Sequence, residues 1–399
     1  MTLIEGLCLM LIGAHLFGWV AERLRQPALV GHMLAGILLG PSVLNWMQAS
    51  PTFAAISDLA VLFVVLAAGL EMRMQHVLDV FRGKSSFALL VGFAIPTAAA
   101  GAFAWLMGMA LIPGLVVTLC LSVTALPVAL RILSSFGMLD TSIARVAIAS
   151  ALMSDVIVLV ALGVAVSLVT PSGGSWLPVA GISMTKLVAL LAFVGICHFA
   201  CLRLSALRAA RNISSKYSDN VLIATLLFTF AFGALSELLG FHFVIGAFFA
   251  ALMITRDLIS DAHFEKLERT CEVVTISLFG PLFLAYQGIQ FQLGALDNAS
   301  LVVGLVLVAI ASKLLGGYVM ARLKKLPHQD ALAVGAIMNA RGVMEMVVAS
   351  IAYHAGLIDQ GLYSALLLVG MVTTVITPLL LRQWLKKSQM EFAKTGEIA

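Results

Sequence analysis

Thr124-Ala125-Leu126-Pro127 and Asn339-Ala340-Arg341-Gly342 are the two stretches that decide the fold of this chain. Each lies inside an apolar run long enough to cross a bilayer, near 111–137 and 328–354, and each interrupts that run with residues that weaken a helix. Proline at 127 removes a backbone donor and frees a carbonyl of the preceding turn, which can then serve a ligand or face water. Irregular backbone at membrane depth is tolerated only where protein or a water-filled cavity surrounds it. Paired interruptions of this kind point to the midplane site of a secondary transporter.

The composition leads independently to the membrane. Of 399 residues, 61% are hydrophobic and only 11% charged, against roughly 25% charged in soluble domains. Disorder, a coiled coil and a soluble enzyme are excluded. Spanning helices need about 20 apolar residues each, and the apolar stretches read as thirteen helices. They run near 3–20, 28–45, 54–71, 85–108, 111–137, 142–169, 176–202, 218–239, 241–256, 265–286, 294–321, 328–354 and 360–385. The reading is therefore an all-α membrane protein, with a transmembrane domain over 1–385 and a short cytoplasmic tail over 386–399. The first stretch lacks a basic n-region and a cleavage site, so it reads as a retained helix.

Charge placement tests this map. The segments after the second, fourth, sixth, eighth, tenth and twelfth helices contain no lysine or arginine, and the alternate segments and tail hold all but four of the 24. By the positive-inside rule the N-terminus lies outside and the C-terminus in the cytoplasm. The remaining four are Arg131 and Lys186, near helix ends where they can snorkel, and Lys313 and Arg341, which cannot. The two interruptions lie seven helices apart, and an odd offset inverts one half against the other. The third and tenth helices, also seven apart, share Leu62-Phe63 leading to Gly69-Leu70 and Leu282-Phe283 leading to Gly288-Ile289.

Charges inside the bilayer cost about 2.5–3.5 kcal/mol each and are functional candidates by default. Asp155 lies thirteen residues beyond Ser142, roughly 20 Å deep at about 1.5 Å per residue. Arg341, thirteen residues past His328, reaches about the same depth, and Lys313 about 13 Å. A carboxylate, an amine, a guanidinium and two broken helices thus share one layer. Desolvation disfavours an ionised carboxylate, so Asp155 holds either a proton or a small hard cation. That competition is sufficient to couple two opposed fluxes. Asp155 as a structural counter-ion for Lys313 is the alternative. Lys313 itself reads equally as a proton carrier or as a strut between helices. Arg341 reads as a structural group on helix-end carbonyls, and Glu345, four residues on, as its partner on the same helical face. Glu71, beside Arg73, reads as solvated, and His32 and His242 as packing histidines. Cys197 and Cys201 flank His198 at helical spacing, but two thiols and one imidazole lack a fourth ligand, so neither a metal site there nor a cofactor is expected. No Ser/His or His/Glu pair stands at catalytic spacing, so the chain does not read as an enzyme. The net charge of +4 is a matter of topology and points to no nucleic acid.

At these residues the sequence resembles the monovalent cation:proton antiporter 2 family, within the larger sodium/proton antiporter superfamily. Arg25-Gln26-Pro27 leading through Gly31 and Ala35-Gly36 to Leu39-Gly40-Pro41-Ser42 looks like the family's opening signature. The Ser122–Val128 segment is similar to the first unwound helix, Ala149 to Asp155 to the carboxylate helix, Lys313-Leu314-Leu315-Gly316 to the lysine helix, and Asn339–Gly342 to the second unwound helix. The resemblance implies an inverted-repeat fold with two discontinuous helices, and a homodimer whose core domain slides against a dimerisation domain. It implies Asp155 as the ion-binding aspartate and Thr124 as a ligand-bearing position. The sequence departs from the family in two places. Electrogenic members carry an acidic residue where this chain has Ser154; electroneutral members have a neutral polar residue there. Ser154 offers an oxygen but no charge, and leaves Lys313 without an adjacent carboxylate. His32 stands where many relatives have glutamate. Larger potassium-efflux relatives append a nucleotide-binding domain, which a chain ending at Ala399 is expected to lack.

The expectation is a bacterial-type antiporter of the inner (cytoplasmic) membrane that exchanges Na⁺ or K⁺ for H⁺ by alternating access, electroneutrally, with Asp155, Ser154 and Thr124 at the ion and Lys313, Arg341, Glu345, Pro127 and Asn339 supporting them. An electrogenic exchanger with Lys313 as proton carrier is the alternative within transporters, and a cation channel the alternative outside them.

Overall fold

A computed structural model describes residues 2–71, 86–139, 141–169, 221–256, 259, 261–296 and 298–395, together with isolated positions between 185 and 203. The expected helix near 176–202 falls largely outside the described residues, as do Lys186, His198 and Cys201. Among the described residues all regular structure is helical. In chain order the helices are α1 (Leu3–Arg23), α2 (Ala28–Leu39), α3 (Pro51–Glu71), α4 (Ser86–Leu106), α5 (Leu111–Ser122), α6 (Leu126–Ser135), α7 (Ser142–Val169), α8 (Val221–Leu238), α9 (Phe243–Met253), α10 (Asp261–Val274), α11 (Gly280–Gln290), α12 (Ala299–Leu323), α13 (His328–Met338), α14 (Val343–His354) and α15 (Gln360–Thr395). Ten runs are long and apolar enough to cross a membrane when α5–α6, α10–α11 and α13–α14 are each taken as one, and α2 and α9 are shorter apolar helices. The chain is a multi-pass membrane protein.

Local chemistry sets the helix ends. Thr2 and Glu5 form a reciprocal capping box at the start of α1, which satisfies two otherwise orphaned amides. Asn298 caps α12 by accepting from the Leu301 amide at 3.0 Å. The run expected to 45 stops at Leu39 because Gly40, which precedes Pro41, is extended with ψ −177°, as the residue before a proline prefers. Between α10 and α11 the helix continues through a π-helical turn at Thr275–Phe279, which hydrophobic periodicity does not reveal.

The chain divides into two compact units. The first comprises Met1–Ser50, Asp79–Val158 and Leu284–Ala399, and the second Pro51–Leu78 and Leu159–Phe283. Within the first, Ala125, Val128, Ala129, Met153, Val334, Ile337, Met338 and Ala340 belong to one buried apolar cluster. Close helix approaches there require glycine: a Cβ on Gly36 would lie 1.9 Å from the Ala285 carbonyl oxygen, and one on Gly288 2.3 Å from that of Met33. Within the second, Leu66, Leu70, Ala251, Phe264, Leu267 and Cys271 pack together. There Phe63 stacks on Phe279 with ring centroids 4.2 Å apart, and the Thr275 hydroxyl donates to the Phe63 carbonyl at 3.2 Å.

Candidate ion-binding site

Two helical runs of the first unit are interrupted, and the interruptions meet. Helix α5 ends at Ser122 and Val123 turns extended, with φ −69° and ψ 149°. In an unbroken helix the carbonyls of Cys120, Leu121 and Ser122 would accept from the amides four residues on. Instead the Ala125 amide donates to the Ala340 carbonyl in the second interruption, at 3.1 Å.

The orphaned carbonyls are taken by two cations. Arg341 Nη1 donates to the Cys120 carbonyl at 2.7 Å and Nη2 to that of Leu121 at 2.9 Å. Lys313 Nζ donates to the Ser122 carbonyl at 2.5 Å and to Thr124 Oγ1 at 2.7 Å. Arg341 is 0% exposed and Lys313 1%, so a guanidinium and an amine sit at the negative end of one half-helix, where the dipole favours positive charge. Glu345, in the first turn of α14, accepts from Arg341 Nη1 at 2.9 Å, and both side chains are completely buried. The i,i+4 spacing and the helix N-terminus both favour a carboxylate at that place.

Pro127 is the second residue of α6, where the missing amide hydrogen would have been unpaired in any case. The freed carbonyls for which partners are seen lie at residues 120–122, and arginine and lysine answer them.

The second interruption is anchored on α15. Thr374 Oγ1 lies 2.8 Å from the Arg341 carbonyl and 2.6 Å from that of Gly370 on its own helix, and its one hydrogen is shared between them. Asn339 Nδ2 donates to Thr377 Oγ1 at 3.3 Å, with a longer contact of 3.5 Å to the Thr373 carbonyl. Thr124 Oγ1, besides accepting from Lys313, donates to the Met338 carbonyl at 3.4 Å. Gly342 allows the crossing, since a Cβ there would meet Val128 Cγ2 at 2.6 Å and Ala125 Cβ at 3.0 Å. Its φ of −178° is ordinary extended backbone, so the requirement is one of space. The three threonines escape a reading based on charges and helix breakers, although their spacing puts hydroxyls on one side of an otherwise apolar helix.

Asp155 lies on α7 and is 0% exposed, and among the described residues neither carboxylate oxygen has a hydrogen-bond partner. Its near neighbours Met153 and Ile157 join the apolar cluster that contains Ala125, Val128, Met338 and Ala340. Among the described residues no ion pair joins Asp155 and Lys313. Lys313 is occupied by the end of α5 instead. A buried carboxylate without donors is costly, and either a proton or a cation bound through oxygen relieves that cost. Ser154 is buried beside it and donates to the Ala151 carbonyl at 2.8 Å, which leaves its oxygen lone pairs available.

Glu71 is exposed at the end of α3, in the second unit. His32 stands edge-on to His15 with ring centroids 6.2 Å apart, and His242 caps α9 by accepting from the Val244 amide. A buried polar cluster escaped the sequence reading altogether. Tyr363 donates to Gln287 and its hydroxyl also lies 3.1 Å from Gln290 Oε1, Gln287 donates to Ser350 at 3.1 Å, and Gln290 lies 3.0 Å from His354. Two glutamines three residues apart in an apolar run were its available signal.

Comparison with known proteins shows the family to which the chain belongs. The chain is 26% identical over 392 residues to a Na⁺/H⁺ antiporter of Enterococcus hirae, covering 97% of this chain and 99% of that one. It is also 26% identical to the Na⁺/H⁺-K⁺ antiporter GerN of Bacillus cereus, with 94% of each chain covered. In fold it is similar to the sodium proton antiporter MjNhaP1 of Methanocaldococcus jannaschii, with a TM-score of 0.68 at 17% identity over 96% of both chains. The family described as "Sodium/hydrogen exchanger, transmembrane" matches residues 11–387. The chain belongs to the transmembrane sodium/hydrogen exchanger family.

Proposed function

We propose that this protein is a secondary antiporter of the cytoplasmic membrane that exchanges Na⁺ or K⁺ for H⁺ by alternating access, with Asp155 as the group both ions share. One observation carries the reading: a fully buried carboxylate whose two oxygens have no partner among the described residues, on a helix packed in the same cluster as two crossed helix breaks. A proton neutralises that carboxylate, a monovalent cation compensates its charge, and the two cannot bind together comfortably. Movement of the loaded site in either form, and not of the bare ion, couples the fluxes. The names of the two bacterial relatives, which mention Na⁺, K⁺ and H⁺, support the same substrates.

Electroneutral exchange is the stoichiometry we favour. Ser154 brings an oxygen and no charge, and the Lys313 ammonium is held by the Ser122 carbonyl and Thr124 hydroxyl, which suits a permanent cap on α5 better than a proton carrier. The working unit is a homodimer in the bilayer, with the N-terminus outside and a core domain sliding against a dimerisation domain; inverted halves would give that motion its symmetry. Asp155→Asn keeps the size of the side chain but can neither ionise nor release a proton. In proteoliposomes bearing a pH gradient it is expected to abolish dissipation by Na⁺ and K⁺ while eluting as wild type on size exclusion. Retained exchange would remove Asp155 from the mechanism.

A further inference from the structure

We infer that the side-chain carbonyl of Asn339 is an oxygen ligand of the transported cation, oriented by Thr377; the inference rests on the antiport reading and extends it from Asp155 to the second helix break. Asn339 is 0% exposed. Which way its amide faces follows from its neighbours on α15. The Thr373 carbonyl can only accept. The Thr377 hydroxyl gives its one hydrogen to that same carbonyl at 2.9 Å, so toward Asn339 it too can only accept. Both surfaces therefore demand the amide nitrogen, as the contacts at 3.3 and 3.5 Å record. The oxygen is therefore the amide atom that does not face α15, and it is buried with no hydrogen-bond partner among the described residues. A buried acceptor left unmade is expensive, and its fixed direction makes a ligand the natural explanation.

Its place in the chain favours the same occupant as Asp155. The residues on either side of Asn339 are bonded to the first interruption, Met338 through Thr124 and Ala340 through Ala125. Both belong to the cluster that Met153 and Ile157 of α7 also enter. A neutral carbonyl beside a carboxylate adds a ligand for a monovalent cation without adding a second proton site. In this arrangement Asn339 is the ligand and Thr377 a positioning residue.

The test compares Asn339→Ala, Thr377→Val and Thr377→Ser with wild type in proteoliposomes, measuring KM and kcat for Na⁺ and K⁺ together with the thermal stabilisation each salt confers on purified protein. Asn339→Ala is expected to raise KM about tenfold, the effect of losing one well-made polar contact, with a smaller change in kcat and a diminished salt-dependent stabilisation. Thr377→Val should shift KM the same way by less, and Thr377→Ser, which keeps the acceptor oxygen, should restore the wild-type value. Unchanged KM and stabilisation in folded Asn339→Ala would overturn the inference. Should that variant not fold, equal KM values for the two Thr377 variants would overturn it. Wild-type protein without any cation-dependent proton flux would instead sink the antiport reading, and this inference with it.

Discussion

Replacing Arg341 with methionine removes the group on which the broken-helix geometry depends most. The guanidinium makes three hydrogen bonds, at 2.7 Å to the Cys120 carbonyl, 2.9 Å to that of Leu121 and 2.9 Å to Glu345. Its loss leaves a buried carboxylate unpaired, which costs about 3–5 kcal/mol, and two helix-end carbonyls unsatisfied at about 1–3 kcal/mol each. A destabilisation of roughly 5 kcal/mol or more follows, a large share of the 5–15 kcal/mol that separates typical folded and unfolded states. Glu345→Gln should be much milder, since the arginine keeps both carbonyls and the amide still offers it an oxygen. In the double variant Arg341→Met/Glu345→Gln the buried negative charge is gone, so its cost should fall below the sum of the singles by about 1–3 kcal/mol. Equilibrium unfolding of the four purified proteins in mixed detergent measures the cycle. The reasoning is refuted if Arg341→Met costs no more than Glu345→Gln, or if the two effects simply add.

Gly342→Ala should destabilise by about 1–3 kcal/mol through overpacking, because its Cβ would sit 2.6 Å from Val128 Cγ2; the same unfolding assay reads it, and a neutral result would mean the two breaks do not cross this closely. Electroneutral exchange predicts that an imposed membrane potential leaves the transport rate unchanged, and that Lys313→Gln, where it folds, keeps that indifference; stimulation by potential in wild type, lost in Lys313→Gln, would assign Lys313 a transported proton.

The sequence exposed the parts of this site that depend on the chain's own continuity. A proline and a run of small and polar residues in apolar surroundings betray a helix break. The second break spans Asn339–Gly342 as that pattern places it. The first spans 123–125, one residue ahead of the Thr124–Pro127 pattern, with Pro127 already inside α6. Glu345 was readable as the partner of Arg341 because i,i+4 spacing is a property of one helix. Partners brought together from distant segments were not readable. Lys313 had Asp155 as its obvious counter-ion by charge, yet it bonds Ser122 and Thr124, since the carbonyls at the end of α5 carry no signature in side-chain identity. Thr373, Thr374 and Thr377 were invisible for a related reason: a threonine in a membrane helix usually satisfies its hydroxyl on its own helix, as Thr373 and Thr377 do here, and only the fold shows what else it touches.

Competition between a proton and a cation for Asp155 is measured most directly by proton release. Purified protein in weakly buffered detergent solution is titrated with Na⁺ or K⁺ while pH is followed with an indicator dye. Because a carboxylate must lose its proton to bind a metal ion, wild type is expected to release up to about one proton per cation bound, and Asp155→Asn none. Equal release from the two proteins, or cation binding to wild type with no release at all, would contradict a shared site at Asp155.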